Sequence, residues 1–244
     1  MMRWFTNSFL MLLGCLIFAA PSLAQEADDL ELNFFVAGSM YTKNTFDVGF
    51  PQSPTPIQSQ FRFDDSIRGG IRMNVFNGGH WGEEFFYSFE PNQATIKQTV
   101  TSPATGTAVF QTKLDIQVHN FGINAIYFLS ADEVRRTRPF FSFGFGGTVY
   151  RPTDEARQAA ADPNRANLRG FGQSNELALN YGTGFKSRLN DRVGFRMDVK
   201  GFLGRSPSFS LARESSDPAA KVFPASGAIH NLEASGGLIV YLGR

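Results

Sequence analysis

The chain has 244 residues, 23 Lys and Arg against 22 Asp and Glu, 26 phenylalanines, 24 glycines and one cysteine. So neutral a balance excludes the basic field that nucleic-acid binding needs, and one cysteine excludes a disulfide framework. Abundant phenylalanine and glycine without sustained helical periodicity points to β-structure.

Residues 1–24 read as a secretory signal. Arg3 lies in a short n-region, an apolar run extends from Phe9 to Ala20, and the small residues Ser22 and Ala24 suit cleavage before Gln25. The run is short for a membrane span. Leu12-Leu13-Gly14-Cys15 is a weak lipidation box, but it would leave apolar Leu16-Ile17-Phe18 opening the mature chain. Cleavage removes Cys15 and Arg3, so the basic count falls from 23 to 22 and equals the acidic count. The remaining chain, 25–244, forms one domain with no run long and apolar enough for a transmembrane helix.

Strict two-residue alternation then recurs eight times, each time the period of a β-strand. "LELNFFVAGSMY" sets Leu32, Phe34, Val36 and Met40 against Asn33, Ser39 and Tyr41. "FRFDDSIRGGIRMNV" sets Phe61, Phe63, Ile67, Ile71, Met73 and Val75 against Arg62, Asp64, Arg68 and Arg72. "GEEFFYSFE" sets Phe85, Tyr87 and Phe89 against Glu84, Ser88 and Glu90. "KLDIQVHNFGINAIYFL" begins with Leu114, Ile116 and Val118 as its apolar set, then changes phase to Phe121, Ile123, Ala125 and Tyr127. Such a change of phase predicts a β-bulge near His119-Asn120. Four more segments alternate: "RPFFSFGFGGTVY", "NELALNYGTGFKSRL", "VGFRMDVKGFL" and "NLEASGGLIVYL".

The connections alternate as well. Residues 77–81, "SADEVRRTR" and 190–192 are short, whereas 44–58, 91–110, 151–172 and 205–226 are long and polar. Within the third, "DEARQAAADP" suits a brief helix. Long structureless loops count against a compact soluble domain but are ordinary at one end of a membrane barrel. A soluble sandwich would also alternate, with its charged face in water. An even number of strands about ten residues long, behind an export signal, favours a closed barrel in lipid. Trp81, Phe85, Phe86, Tyr127, Phe128, Phe140, Phe141 and Tyr241 near the short turns, and Phe61, Phe63, Phe89 and Tyr150 near the long loops, suit aromatic girdles.

With an export signal, eight alternating strands, long loops at one end and a final "GGLIVYLGR", the chain resembles the small outer-membrane β-barrels of Gram-negative bacteria. The OmpA-like transmembrane domain and opacity-type surface proteins are the types it resembles. The resemblance covers residues 25–244. It implies an all-β fold, an eight-stranded antiparallel up-and-down transmembrane barrel with long extracellular loops and short periplasmic turns. It further implies location in the outer membrane, no catalytic activity, no cofactor and no metal. The implied partners are outer-membrane lipid and lipopolysaccharide, the barrel-assembly machinery during insertion, and an unidentified surface ligand at the loops. One departure is the end, Tyr241-Leu242-Gly243-Arg244, because the family often closes on an aromatic residue. The cell-wall tether of the OmpA type is expected to be absent.

If the apolar sets face lipid, the lumen holds Arg62, Asp64, Arg68, Arg72, Glu84, Glu90, Lys113, Asp115, Glu176, Lys186, Arg188, Arg196, Asp198, Lys200 and Glu233. An eight-stranded barrel is just wide enough for its own side chains, and buried charges must pair. Near-balance of sign therefore predicts a salt-bridge network that fills the lumen, with Gly70, Gly122, Gly144, Gly146 and Gly182 making room for the arginines. The function this predicts is a structural or surface-contact role through the long loops. A narrow channel for small solutes is the alternative. A lipid A-modifying enzyme would need Ser, His and an acid on one face, but His230 lies opposite Glu233 and Ser235. An omptin-type protease meets the same objection at Asp64-Asp65. The three histidines, His80, His119 and His230, lack metal-ligand spacing. "FGFGG" lies within a strand and opens no helix, so it is no dinucleotide motif.

Overall fold

The computed structural model describes residues 29–43, 45–48, 58–76, 79–102, 106–132, 136–162, 165–166, 168–213 and 228–242. The signal read at 1–24, the terminal residues 243–244 and parts of the loops placed at 44–58 and 205–226 lie outside the described residues. The strands are β1 (Asp29–Lys43), β2 (Thr45–Val48), β3 (Gln58–Phe63), β4 (Ser66–Phe76), β5 (Trp81–Ser102), β6 (Gly106–Phe128), β7 (Thr137–Pro152), β8 (Ser174–Arg188), β9 (Val193–Arg205) and β10 (Ala228–Tyr241). One helix, α1 (Asp154–Ala161), follows β7.

Eight of these strands, all antiparallel to their neighbours, close into a ring in the order β1-β4-β5-β6-β7-β8-β9-β10. Closure leaves no edge in the ring and pairs its backbone internally. Following register partners once round from Glu31, through Asn74, Glu84, Asn124, Gly144, Asn180, Phe202 and Asn231, returns to β1 at Tyr41. That stagger tilts the strands at the steep end of the usual range of roughly 35–45°. β3 continues the line of β4 above the closed ring, pairing with the upper part of β5, and β2 pairs with β3.

The β8–β9 turn at the lower end is tight. Asn190 Oδ1 accepts from the backbone N–H of both Arg192 and Val193 at 2.9 Å, fixing the β8–β9 reversal. At the other end, most of the loop read at 91–110 is strand. β5 and β6 continue as a paired hairpin as far as Ser102↔Gly106. The helix predicted after β7 forms as α1. Thr153 caps it, accepting from Ala156 N at 3.1 Å, with Asp154 and Glu155 in the first turn.

The molecule has two zones with opposite polarity. In the lower zone the outward set is apolar: Val36 is 63% exposed, Phe145 66% and Leu238 59%, while inward Arg68, Glu84 and Asn124 are buried. In the upper zone the outward set is polar and the inward set is apolar. Leu114, Ile116 and Val118 are buried there, whereas Lys113 and Asp115 on the same strand are exposed.

This inversion corrects several sequence readings. β6 pairs with both neighbours without any register shift across His119-Asn120, so no bulge exists there. Its even-numbered residues face inward from Thr112 to Phe128, and only the polarity of the two faces changes. Lys113 and Asp115 therefore lie on the outer face, not in the lumen. Conversely, the segment read as one unbroken strand at 61–75 is interrupted. β3 pairs with β5 in a register one residue different from that of β4, a true bulge at Asp64-Asp65. Phe61 and Phe63 consequently point inward, and Arg62 is exposed outside.

Candidate functional site: a charged lumen between two apolar seals

The inward side chains lie in three tiers. The middle tier centres on Arg68 and Arg72, two arginines four residues apart on β4. Arg68 reaches Glu90 at 2.5 Å, Glu233 at 2.9 Å, Asn231 at 2.9 Å and Ser39 at 3.3 Å. Arg72 reaches the other oxygen of Glu233 at 2.8 Å, Asp198 at 3.2 Å, Ser235 at 3.0 Å and Asn33 at 3.1 Å. Across the lumen Arg196 bonds Glu84 at 2.6 Å and Asp198 at 2.7 Å. Lys200 also pairs with Glu84, and Asn124 donates to it at 2.8 Å. Four cations thus face Glu84, Glu90, Asp198 and Glu233, each at least nine-tenths buried. Charges removed from water cost several kcal/mol each unless paired and hydrogen-bonded, and the planar arginine fork meets several acceptors at once. The arginines also lie over rings, Arg72 at 3.7 Å from the centroid of Phe35 and Arg196 at 4.4 Å from that of Phe140.

Glycines shape this tier, two of them beside rings. A Cβ at Gly70 would meet the Phe35 ring at 2.6 Å, and one at Gly122 the Phe86 ring at 2.9 Å. Gly182 does adjoin a charged residue, the Lys200 stem at 2.8 Å, whereas Gly144 and Gly146 face neighbouring backbone at 2.0 Å. Arginine stems are therefore not what these five positions accommodate.

The lower tier is a cluster of Phe76, Ile126, Phe128 and Phe140. Lys186 is threaded through it, 4.0 Å from the Phe76 centroid and 2.5 Å from Glu31. Arg138 lies over Phe128 at 4.1 Å and donates to the carbonyls of Gly79 and Ser130 at 2.7 and 3.1 Å. Gly79, at φ 73°, supplies the left-handed turn that turns its carbonyl to this task. Arg188 covers Tyr241 at 4.4 Å at the mouth.

The upper tier is an apolar cap. Phe61, Phe63, Tyr41, Tyr150, Phe171 and Phe209 interlock, with Tyr41–Phe63 centroids at 5.0 Å and Phe171–Phe209 at 4.7 Å. Phe209 has φ 52° and Ser210 φ 62°, conformations costly for residues with side chains, held while the Phe209 ring is wholly buried. Ala156 and Ala160 of α1 complete the cap against β6. A cavity of about 10 Å³ bordered by Arg68, Asn120, Tyr150 and Glu176 lies between cap and charged tier, room for roughly one water.

Of the fifteen charged residues predicted for the lumen, Arg68, Arg72, Glu84, Glu90, Lys186, Arg196, Asp198, Lys200 and Glu233 meet in it. Glu176 and Arg188 are half-buried at its two ends. Asp64 sits at the bulge, its carbonyl accepting from Asn92, and Arg62, Lys113 and Asp115 are outside. Glu31 and Arg138 escaped the sequence reading. Glu31 shares the parity of Asn33 and Ser39, so the alternation of β1 carried it. Arg138 opens the alternating segment "RPFFSFGFGGTVY" at the parity of Ser142 and Gly144, so the alternation of β7 carried it as well.

The girdles are likewise narrower than predicted. Trp81, Tyr127, Phe141 and Phe89 face outward, while Phe86, Phe128 and Phe140 line the lumen and Phe61, Phe63 and Tyr150 fill the cap. The histidines belong to the outer wall and the turn. His230 bonds Tyr181 at 2.6 Å and Thr42 at 2.7 Å, and His119 bonds Tyr87 at 2.8 Å. Glu233 and Ser235 are committed to Arg68, Arg72 and Asp198 within the lumen. No hydrolytic triad is assembled from these residues. Among the described residues no group of His, Cys, Asp and Glu is placed to hold a metal ion.

No family model matches the chain, and no curated protein matches it in sequence. Solved structures do match in shape. The outer membrane protein OprG of Pseudomonas aeruginosa is similar at TM-score 0.55 and 14% identity, over 91% of this chain and 99% of that one. Neisserial surface protein A is similar at TM-score 0.44 and 9% identity, over 86% and 96%. The attachment invasion locus protein Ail of Yersinia pestis is similar at TM-score 0.38 and 9% identity, over 88% and 99%.

Proposed function

We propose that this chain, which has the fold of the small outer-membrane β-barrels, spans the outer membrane as a closed barrel with a structural or surface-contact role. The observation that carries the reading is the inversion of polarity along one continuous set of strands. An outward apolar band around a closed ring, with ion pairs inside, is stable in hydrocarbon and unstable in water. The belt contacts outer-membrane lipid and lipopolysaccharide, and its insertion uses the barrel-assembly machinery. The zone above the belt has the opposite construction and stands in water. Its contact surface is the sheet β2-β3-β5-β6. There the β5–β6 hairpin carries Val109 and Phe110, both about half exposed, beyond the last pairing of β6 with β7 at Ile116.

A solute channel is the less favoured reading, because three successive tiers of buried side chains occupy the lumen. Planar-bilayer recording tests this. The purified barrel should insert without reproducible unitary current steps. Steps that recur in the wild type and vanish with Arg68→Ser or Arg196→Ser would overturn the closed-barrel reading in favour of conduction.

A further inference from the structure

The belt is not smooth. On the outer wall where β7, β8 and β9 run side by side lies a hollow of about 420 Å³. Its floor is the backbone of Gly146 and Gly204. Its walls are Phe145, Leu177, Leu179 and Leu203, with Leu177 85% exposed. Arg205, the last residue of β9, closes its upper rim and is itself exposed. No carboxylate among the described residues forms an ion pair with Arg205. A second guanidinium, Arg213, stands beside it. Partial burial and then the positive charge of Arg205 weaken the hold of Arg213 on its proton, against a distant Glu176 at 3.7 Å. Arg205 thus places one cation directly above an apolar hollow, while Arg213 is held by the Ser206 carbonyl at 2.5 Å.

An empty hollow facing hydrocarbon forfeits dispersion contacts on every wall, so lipid chains will fill it. A cation at the upper boundary favours a phosphate there over a neutral head group. We propose that this hollow is a docking site for one phosphorylated glycolipid of the outer leaflet, its acyl chain against Leu177, Leu179 and Leu203 and its phosphate on Arg205. The inference rests on the membrane-spanning reading above and adds a defined lipid site to it.

Native mass spectrometry of the detergent-solubilised barrel with added diphosphorylated lipid A tests it. The wild type should carry a single lipid adduct. Arg205→Ala should weaken that adduct about tenfold, Arg205→Lys should stay within about threefold, and Leu203→Trp, which fills the hollow, should weaken it as Arg205→Ala does. Lys113→Ala, on the exposed outer face of β6, should change nothing. Dephosphorylated lipid A should bind the wild type as weakly as intact lipid A binds Arg205→Ala. Equal adducts for wild type and Arg205→Ala, or for the two lipids, would overturn the site, as would displacement by excess inorganic phosphate. Liposome flotation separates the two levels of argument. A barrel that floats without an Arg205-dependent adduct defeats this site alone, whereas recovery in a detergent-free aqueous extract defeats the membrane reading beneath it.

Discussion

The belt and the cap are built from the same strands and obey opposite rules. On β6, Ile123 is 43% exposed on the outside of the belt, while Asn124 beside it is buried within. A few residues up the same strand, Asp115 is exposed and Ile116 is buried. The backbone does not change between them, since the register with β5 and β7 is unbroken. On the membrane-spanning reading, what changes is the solvent. Hydrocarbon outside selects apolar side chains outward and leaves polar groups to satisfy one another inside. Water outside selects the usual arrangement, with a hydrophobic interior. Stability in the two zones therefore rests on different terms: ion pairing and hydrogen bonds in the belt, apolar burial in the cap.

The largest test of that difference removes one member of the lumen network. Arg68→Leu should strand Glu90 and share Glu233 with Arg72 alone. It should cost about 3–5 kcal/mol in reversible urea unfolding of the vesicle-inserted barrel. A loss below about 1 kcal/mol would mean that the network is not an ion-paired unit. A second test places one substitution in both zones. Val199 is 49% exposed in the belt and Val109 is 52% exposed on the hairpin. Val199→Arg should cost about 2–4 kcal/mol, whereas Val109→Arg should stay within about 0.5 kcal/mol. Equal costs would erase the boundary between the zones. The smallest test deletes one methylene in each. Ile116→Val, in the cap interior, should cost about 0.5–1.5 kcal/mol. Ile71→Val, facing lipid, should cost less than about 0.5 kcal/mol, because lipid tails close over the lost volume.

The same comparison explains what the sequence revealed and what it concealed. All eight ring strands and their order were legible, because each carries a period of two long enough to cross a bilayer. Most of the belt lumen was legible with them, since Arg68, Arg72, Glu84, Arg196, Asp198 and Lys200 are charged residues at inward parity. The height at which polarity inverts was not legible, because alternation reports a difference between faces and not which face is inside. At β6 the inversion alone appeared as a change of phase, and reading it as a bulge sent Leu114, Ile116 and Val118 to the wrong side. At β3–β4 inversion and a real bulge at Asp64-Asp65 occur together and cancel. Phe61, Phe63, Ile67 and Ile71 keep one parity throughout, although the first two point inward and the last two outward. A regular pattern thus concealed an irregular strand, and an irregular pattern concealed a regular one. The misplacement of Arg62, Lys113 and Asp115 follows from that single ambiguity.

Spin labels along β6 test the inversion most directly. Cysteines substituted singly at Lys113, Asp115, Phe121, Ile123 and Ala125, all outward by parity, would carry the label in the vesicle-inserted barrel. The account predicts that labels at positions 113 and 115 collide with a water-soluble nickel reagent and those at 121, 123 and 125 with oxygen dissolved in the bilayer. Labels at Leu114 and Ile116 should meet neither. Oxygen collisions at 114 and 116, with the nickel reagent excluded, would place those residues in lipid, restore a bulge at His119-Asn120 and contradict the account.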